Sequence, residues 1–234
     1  VQTFYFYNFI IVSVEVTLPF LVSLSLAVTA MSQQRKSTIL YFFYLILNYE
    51  IPKMWVFGYG SLVWKVDFPY EMKLVGYIKG YVRRFYQHSI DHRGIPEKPG
   101  RVVTLIASDD PGSSVWGVAY KIKPENIDKV TKYLDFREKN GYSKKTITFH
   151  PKDKVHEAFD LTLYIATEDN ESFAGPASIQ EIAKQIVECK GPSGPNKEYV
   201  YNLAAAMRQL APDVHDDHLF TLEQEVRKLD LDTK

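Results

Sequence analysis

Met54-Trp-Val-Phe-Gly-Tyr-Gly-Ser-Leu-Val-Trp64 runs an aromatic, β-branched stretch straight into a turn with two glycines. Residues 54–59 read as a short strand and Gly58-Tyr-Gly60-Ser-Leu62 as the tight turn that ends it. Two glycines there would let backbone N–H groups face a bound anion with no Cβ in the way. Taken alone, such a turn reads first as a structural bend. Nucleotide-binding fingerprints do not fit. The third glycine of a dinucleotide loop would fall at Val63, Pro69 breaks any following helix, and no Gly-Lys-Ser/Thr is present. A nucleophile elbow at Ser61 would need glycine where Val63 stands.

Outward from this strand, Leu74 to Tyr86 reads as one or two further strands, and His88 to Gly100, with two Pro and two Gly, as a surface loop. Arg101–Ala107 and Ser114–Ile122 read as a strand pair joined by the turn Ser108–Gly112. Pro124 opens a helix, since its missing N–H would be unpaired in the first turn anyway. Strands return at Tyr142–His150 and Phe159–Thr167. Beyond Gly175-Pro176 the pattern turns helical. Ser178 with Glu181 is a capping box, and Ile179, Ile182, Ile186 and Val187 form an apolar stripe. Residues 196–210 and 214–231 are further helices, the last with Leu219, Leu222, Val226 and Leu229 on one face. Strands, one helix, strands and then helices do not alternate regularly. The order therefore predicts an α+β domain with a mostly antiparallel sheet or barrel and a helical C-terminal third.

The chain has 234 residues, 46% of them hydrophobic, with 28 Lys+Arg balancing 28 Asp+Glu. Neutrality argues against a nucleic-acid partner, which calls for a basic face, and Arg83-Arg84 is too short a run to change that. One cysteine, Cys189, excludes an internal disulfide and a multi-cysteine zinc site; late in an amphipathic helix, it is expected to pack. The average hides a seam. Residues 1–53 hold only Arg35, Lys36, Lys53, Glu15 and Glu50 as charges, whereas residues 54–234 have the composition of an ordinary soluble domain. The expected organisation is an apolar extension over residues 1–53, not part of the fold, followed by one domain over residues 54–234, with Met54 a natural start. The uncharged run from Val16 to Gln34 is long enough to span a membrane but is diluted by Pro19, Ser and Thr. A membrane partner is therefore not expected.

Glu138 is the main candidate for proton chemistry. At roughly 100° per residue it falls about 40° from Leu134, on the apolar arc that also holds Ile127 and Val130. A carboxylate on the core-facing side of a helix C-terminus should hold its proton more tightly than in water, which suits a general base and acid near neutral pH. The plain alternative is a frayed helix end, Glu138 pairing with Arg137 or Lys139. His88, Asp91 and His92 cluster in a loop without metal-ligand spacing, and His215 and His218 beside Asp216 and Asp217 read as solvated. The 16 Tyr and 14 Phe follow strand patterns and read as core.

Five motifs in fixed order carry a resemblance: Met54 to Trp64, Arg101-Val-Val-Thr-Leu105, Val115-Trp-Gly-Val-Ala-Tyr120, Tyr133-Leu-Asp-Phe-Arg-Glu138 and Gly191-Pro-Ser-Gly194. Over essentially all of Met54 to Leu231 the chain resembles the shorter, cytosolic branch of the ChaC-type, glutathione-specific gamma-glutamylcyclotransferases; nothing in residues 1–53 does. The resemblance implies a small barrel flanked by helices and a cytosolic carbon–nitrogen lyase, acting without metal or cofactor. It would cleave glutathione to 5-oxoproline and cysteinylglycine. It also implies that Tyr59 to Leu62 (Tyr59, Gly60, Ser61, Leu62), with flanking Val56, Phe57 and Gly58, hold the gamma-glutamyl group, and that Glu138 moves the protons. Asn140 stands where the family usually has a glycine, a mild departure because Asn tolerates the left-handed conformation. Tyr142 is expected to hydrogen-bond near the substrate. Other gamma-glutamyl amines or dipeptides as substrates, or a non-catalytic domain of the same fold, are the alternatives.

Overall fold

β1 (Met54–Gly58) pairs on both edges, antiparallel with β5 (Ser114–Ile122) along its whole length and parallel with β7 (Phe159–Ala166) at Val56 and Thr162. β2 (Met72–Lys79) and β6 (Tyr142–Pro151) complete a closed barrel in the order β1-β5-β2-β6-β7. Closure leaves these five strands without a free sheet edge. The computed structural model describes residues 41, 53–137, 142–166 and 168–232. The chain divides into two compact units, Val1–Ile51 and Pro52–Lys234, and the barrel and its helices all belong to the second.

The strands alternate as a half-buried pleat requires: in β2, Leu74, Gly76 and Ile78 are buried and their neighbours are not. Phe57, Phe149, Leu161 and Leu163 fill the core, with Phe57 and Phe149 ring centroids 5.8 Å apart. Gly117 lets β5 pass close to β1, since a Cβ there would lie 2.3 Å from the Gly58 carbonyl oxygen. The fold is α+β with a mostly antiparallel barrel, as the order of elements predicts.

One expected pairing is corrected. β4 (Gly100–Ala107) does not pair with β5; it pairs antiparallel with β3 (Tyr81–Ser89) in a separate two-stranded sheet. The intervening turn is clipped to the β2–β3 corner, with Gly80 N–H donating to Ser113 O and Ser108 N–H to Gly80 O, at 3.1 and 3.0 Å. The chain thus steps from one sheet to the other, and β5 enters the barrel between β1 and β2.

A 3-10 turn at Pro124–Asn126 leads into α1 (Ile127–Arg137), which buries Val130 and Leu134. α2 (Ile179–Glu188) begins with the expected capping box. It packs Ile182 and Ile186 with Val200 and Leu203 of α3 (Asn196–Leu210) and Leu219, Leu222 and Val226 of α4 (Asp217–Asp232). Short strands β8 (Lys190–Gly191) and β9 (Gly194–Pro195) form the hairpin between α2 and α3. Cys189 packs as expected, with Sγ 3.2 Å from the Pro99 carbonyl oxygen. Among the described residues no helix is long and apolar enough to cross a membrane; the run from Val16 to Gln34 lies outside them.

His218 is not solvated. Phe85 N–H donates to its Nε2 at 3.1 Å, its ring stacks on Phe85, and burial foremost, then Arg84, pushes its pKa down to about 4. His215 remains exposed, 3.0 Å from Asp217.

Candidate active site

Every carbonyl from Tyr59 to Leu62 is engaged by the protein. Arg83 Nε donates to Tyr59 O at 3.0 Å and Val63 N–H to Gly60 O at 2.9 Å. Trp64 and Lys65 N–H donate to Ser61 O, at 3.2 and 2.8 Å, and the Tyr120 hydroxyl to Leu62 O at 2.6 Å. In a planar trans peptide the carbonyl and the following N–H point in opposite directions. The N–H groups of Gly60, Ser61 and Leu62 are thereby turned away from those donors. Burial, then Tyr70, pushes the Tyr120 hydroxyl up to about pKa 12, so it stays a donor at neutral pH.

The anchors reach the turn from distant elements. Arg83, on the buried face of β3, also donates to Asp216 Oδ2 at 2.7 Å and to Trp116 O. The Tyr59 hydroxyl donates to Tyr164 O at 3.0 Å. Gly60 leaves room for the wall opposite: a Cβ there would lie 2.8 Å from Tyr199 Oη and 3.0 Å from Val103 Cγ2.

The turn forms one wall of a cavity of about 380 Å³. All seven sequence-predicted residues from Val56 to Leu62 line it. Gln87, Ser89, Val102 and Val103 come from the β3–β4 sheet, Tyr133 and Leu134 from α1, Tyr164 from β7 and Tyr199 from α3. The end of α1 is tied down beside this wall, Tyr133 donating to Asp67 at 2.6 Å and Tyr164 to Asp135 at 3.0 Å. Hydrogen bonds from Lys144 foremost, and from Tyr164, hold the Asp135 carboxyl below the usual range. Glu138, next in sequence after α1, lies outside the described residues, as do Asn140 and Gly141. Of Tyr142 only the backbone is described, opposite Ala166 at the start of β6.

His88, Asp91 and His92 line the same cavity. Among the described residues no group of three or more His, Cys, Asp or Glu is placed to hold a metal ion. Burial foremost, then Arg101, lowers the His88 pKa. Sequence reasoning missed Arg83, Tyr120 and Tyr199. A signal existed for Arg83, since β3 alternates and an arginine on the register shared by Phe85, Gln87 and Ser89 must be buried and paired. The tyrosines read as core because their aromatic rings follow the strand and helix patterns, while their hydroxyl partners are far off in sequence.

Residues 54–229 match the family described as ChaC-like protein. The chain is 49% identical over 172 residues to the glutathione-specific gamma-glutamylcyclotransferase 1 of Danio rerio, covering 73% of this chain and 87% of that one. It is 45% identical over 168 residues to the protein of the same name from Homo sapiens, covering 71% and 75%. The crystal structure of the glutathione-specific gamma-glutamyl cyclotransferase from yeast superposes with a TM-score of 0.69 at 33% identity, over 76% of this chain and 100% of that one. On motif order, fold and this likeness, the chain belongs to the ChaC-like protein family.

Proposed function

We propose that this chain cleaves glutathione to 5-oxoproline and cysteinylglycine. The observation that carries the reading is the Tyr59–Leu62 turn, whose four carbonyls are all engaged while its residues line the cavity. Backbone N–H groups so oriented suit a carboxylate, and later the charge that develops on a reacting carbonyl oxygen.

No protein nucleophile is needed. The α-amine of the gamma-glutamyl group attacks its own γ-carbonyl carbon, a five-membered ring closes, and the bond to the cysteinyl nitrogen breaks. The α-ammonium gives up two protons on its way to the lactam N–H: the departing cysteinyl nitrogen takes one and leaves as an amine, and the other passes to water. Holding the chain curled makes the attack intramolecular, which is worth several kcal/mol of barrier. The turn would bind the α-carboxylate, with the Ser61 hydroxyl and backbone N–H groups facing the γ-oxygen. Glu138 would take a proton from the α-ammonium and return one to the departing nitrogen, one carboxylate serving both steps. Tyr142 would hydrogen-bond near the bound substrate. The catalytic unit is residues 54–234, and the single cysteine suits a reducing cytosol, where we place the reaction. Incubation of the purified chain with glutathione tests the reading: 5-oxoproline and cysteinylglycine appear together if it holds, and glutathione stays intact if it does not.

A further inference from the structure

Among the described residues two full cations line the cavity, Lys65 and Arg93, and they differ in how they are held. Lys65 is exposed. The Arg93 side chain is only 12% exposed and fixed along one edge, with Nη1 donating to Pro195 O at 3.0 Å and to Glu198 Oε2 at 3.3 Å. Its Nε and Nη2 have no protein acceptor among the described residues. The backbone around it is equally fixed. Arg93 N–H donates to Ser89 Oγ at 2.9 Å, and Ser193 N–H to His92 O at 2.9 Å. Gly94 is packed so closely that a Cβ would lie 2.0 Å from Gly100 N.

A guanidinium largely withdrawn from water, with three of its five donors unused, is a site for a planar anion. The Nε/Nη2 edge matches the two oxygens of a carboxylate, and a pre-fixed fork loses less freedom on binding than an exposed lysine does. Glu198, its carboxylate partner, is 53% exposed and contacts the other edge. The cleavage proposed above supplies the anion: glutathione has one carboxylate beside its α-amine, for the turn, and a second on its terminal glycine. Cavities of about 300–1,000 Å³ hold small ligands, so one of about 380 Å³ has room for both ends.

We propose that Arg93 binds the C-terminal glycine carboxylate of the tripeptide and thereby sets the preference for glutathione over gamma-glutamyl compounds that lack an anion at that place. This rests on the glutathione reading, so its test separates the two. The full chain is assayed for 5-oxoproline release from glutathione and from its glycine amide, in the wild type and in Arg93→Gln, Arg93→Lys and Lys65→Gln. The wild type should favour the free acid by about 10–100-fold in kcat/KM, the range of a charged hydrogen-bonded pair, expressed mainly in KM. Arg93→Gln should bring that ratio to within about twofold of unity, and Arg93→Lys should fall between. Both substrates are compared in one preparation, so the ratio does not depend on how much of a variant is folded. A wild type that cleaves both compounds equally overturns the role of Arg93 while the glutathione reading stands. So does an Arg93→Gln variant that keeps the wild-type ratio, or a loss of the ratio in Lys65→Gln instead. A chain that releases 5-oxoproline from neither compound overturns the reading beneath.

Discussion

Arg83 Nε donates to the carbonyl oxygen of Tyr59 at 3.0 Å, and the same guanidinium meets Asp216 Oδ2 at 2.7 Å. One buried cation therefore joins the start of α4 to the glycine turn. It fixes the peptide plane whose other side presents the Gly60 N–H. The Arg83 side chain is 1% exposed and that of Asp216 is 18% exposed, so the pair is shielded from solvent on the arginine side.

Asp216→Ala would leave the Arg83 charge buried among carbonyl oxygens alone. Breaking a buried pair in this way costs about 3–5 kcal/mol. Urea unfolding at neutral pH should show a lower midpoint with an unchanged slope, and turnover per folded molecule should fall because the turn loses its brace. A midpoint within experimental scatter of the wild type would mean that the pair braces nothing.

Gly60→Ala pushes a methyl group toward Tyr199 Oη, 2.8 Å away, and Val103 Cγ2, 3.0 Å away. We expect kcat/KM to fall by about 10–100-fold, the scale on which a shifted positioning group costs turnover. Adding Tyr199→Phe removes the nearer of the two atoms and should restore part of the loss. If the double variant is no better than Gly60→Ala, the collision lies elsewhere.

Glu138→Gln is nearly isosteric and replaces the ionisable carboxyl with a neutral amide. General acid–base catalysis contributes about 10²–10⁴-fold, so kcat should drop by that factor while thermal unfolding stays where it was. Near-normal kcat in this variant would take Glu138 out of the mechanism.

His218 makes stability depend on pH. Its ring is neutral in the folded protein because Phe85 N–H occupies Nε2 and burial drives the pKa down to about 4, from 6.5 for a free ring. Between those values the unfolded chain binds more protons. The stabilisation is complete above about pH 6.5 and is lost as pH falls toward 4. A shift of this size is worth about 2 kcal/mol between pH 7.5 and 5. Urea midpoints at the two pH values should differ accordingly in the wild type, and by clearly less in His218→Gln. Equal differences in both would assign the pH dependence to other groups.

The strand at 54–58, the capping box of α2 and the helical stripes were legible because each is a local periodicity or a local hydrogen bond. So was the turn that lines the cavity, through its two glycines. What could not be read were relations across the chain. Arg83 meets Asp216, and Phe85 meets His218, each over 133 residues of sequence. A short basic run and a histidine beside two aspartates give no sign of a partner that far off. The β4–β5 pairing failed for a related reason: adjacency with a short turn favours a hairpin, whereas β5 pairs with β1 and β2, β4 pairs with β3, and the turn between them is clipped to Gly80.

The central claim is ring closure by the substrate's own amine, and isotope-labelled water tests it most directly. The full chain is incubated with glutathione in H₂¹⁸O and the products are analysed by mass spectrometry. Intramolecular closure predicts 5-oxoproline and cysteinylglycine in equal amounts, with no ¹⁸O in the newly formed lactam carbonyl and no free glutamate. Glutamate carrying ¹⁸O in its γ-carboxylate would mean that water, not the α-amine, attacks, and would contradict the account.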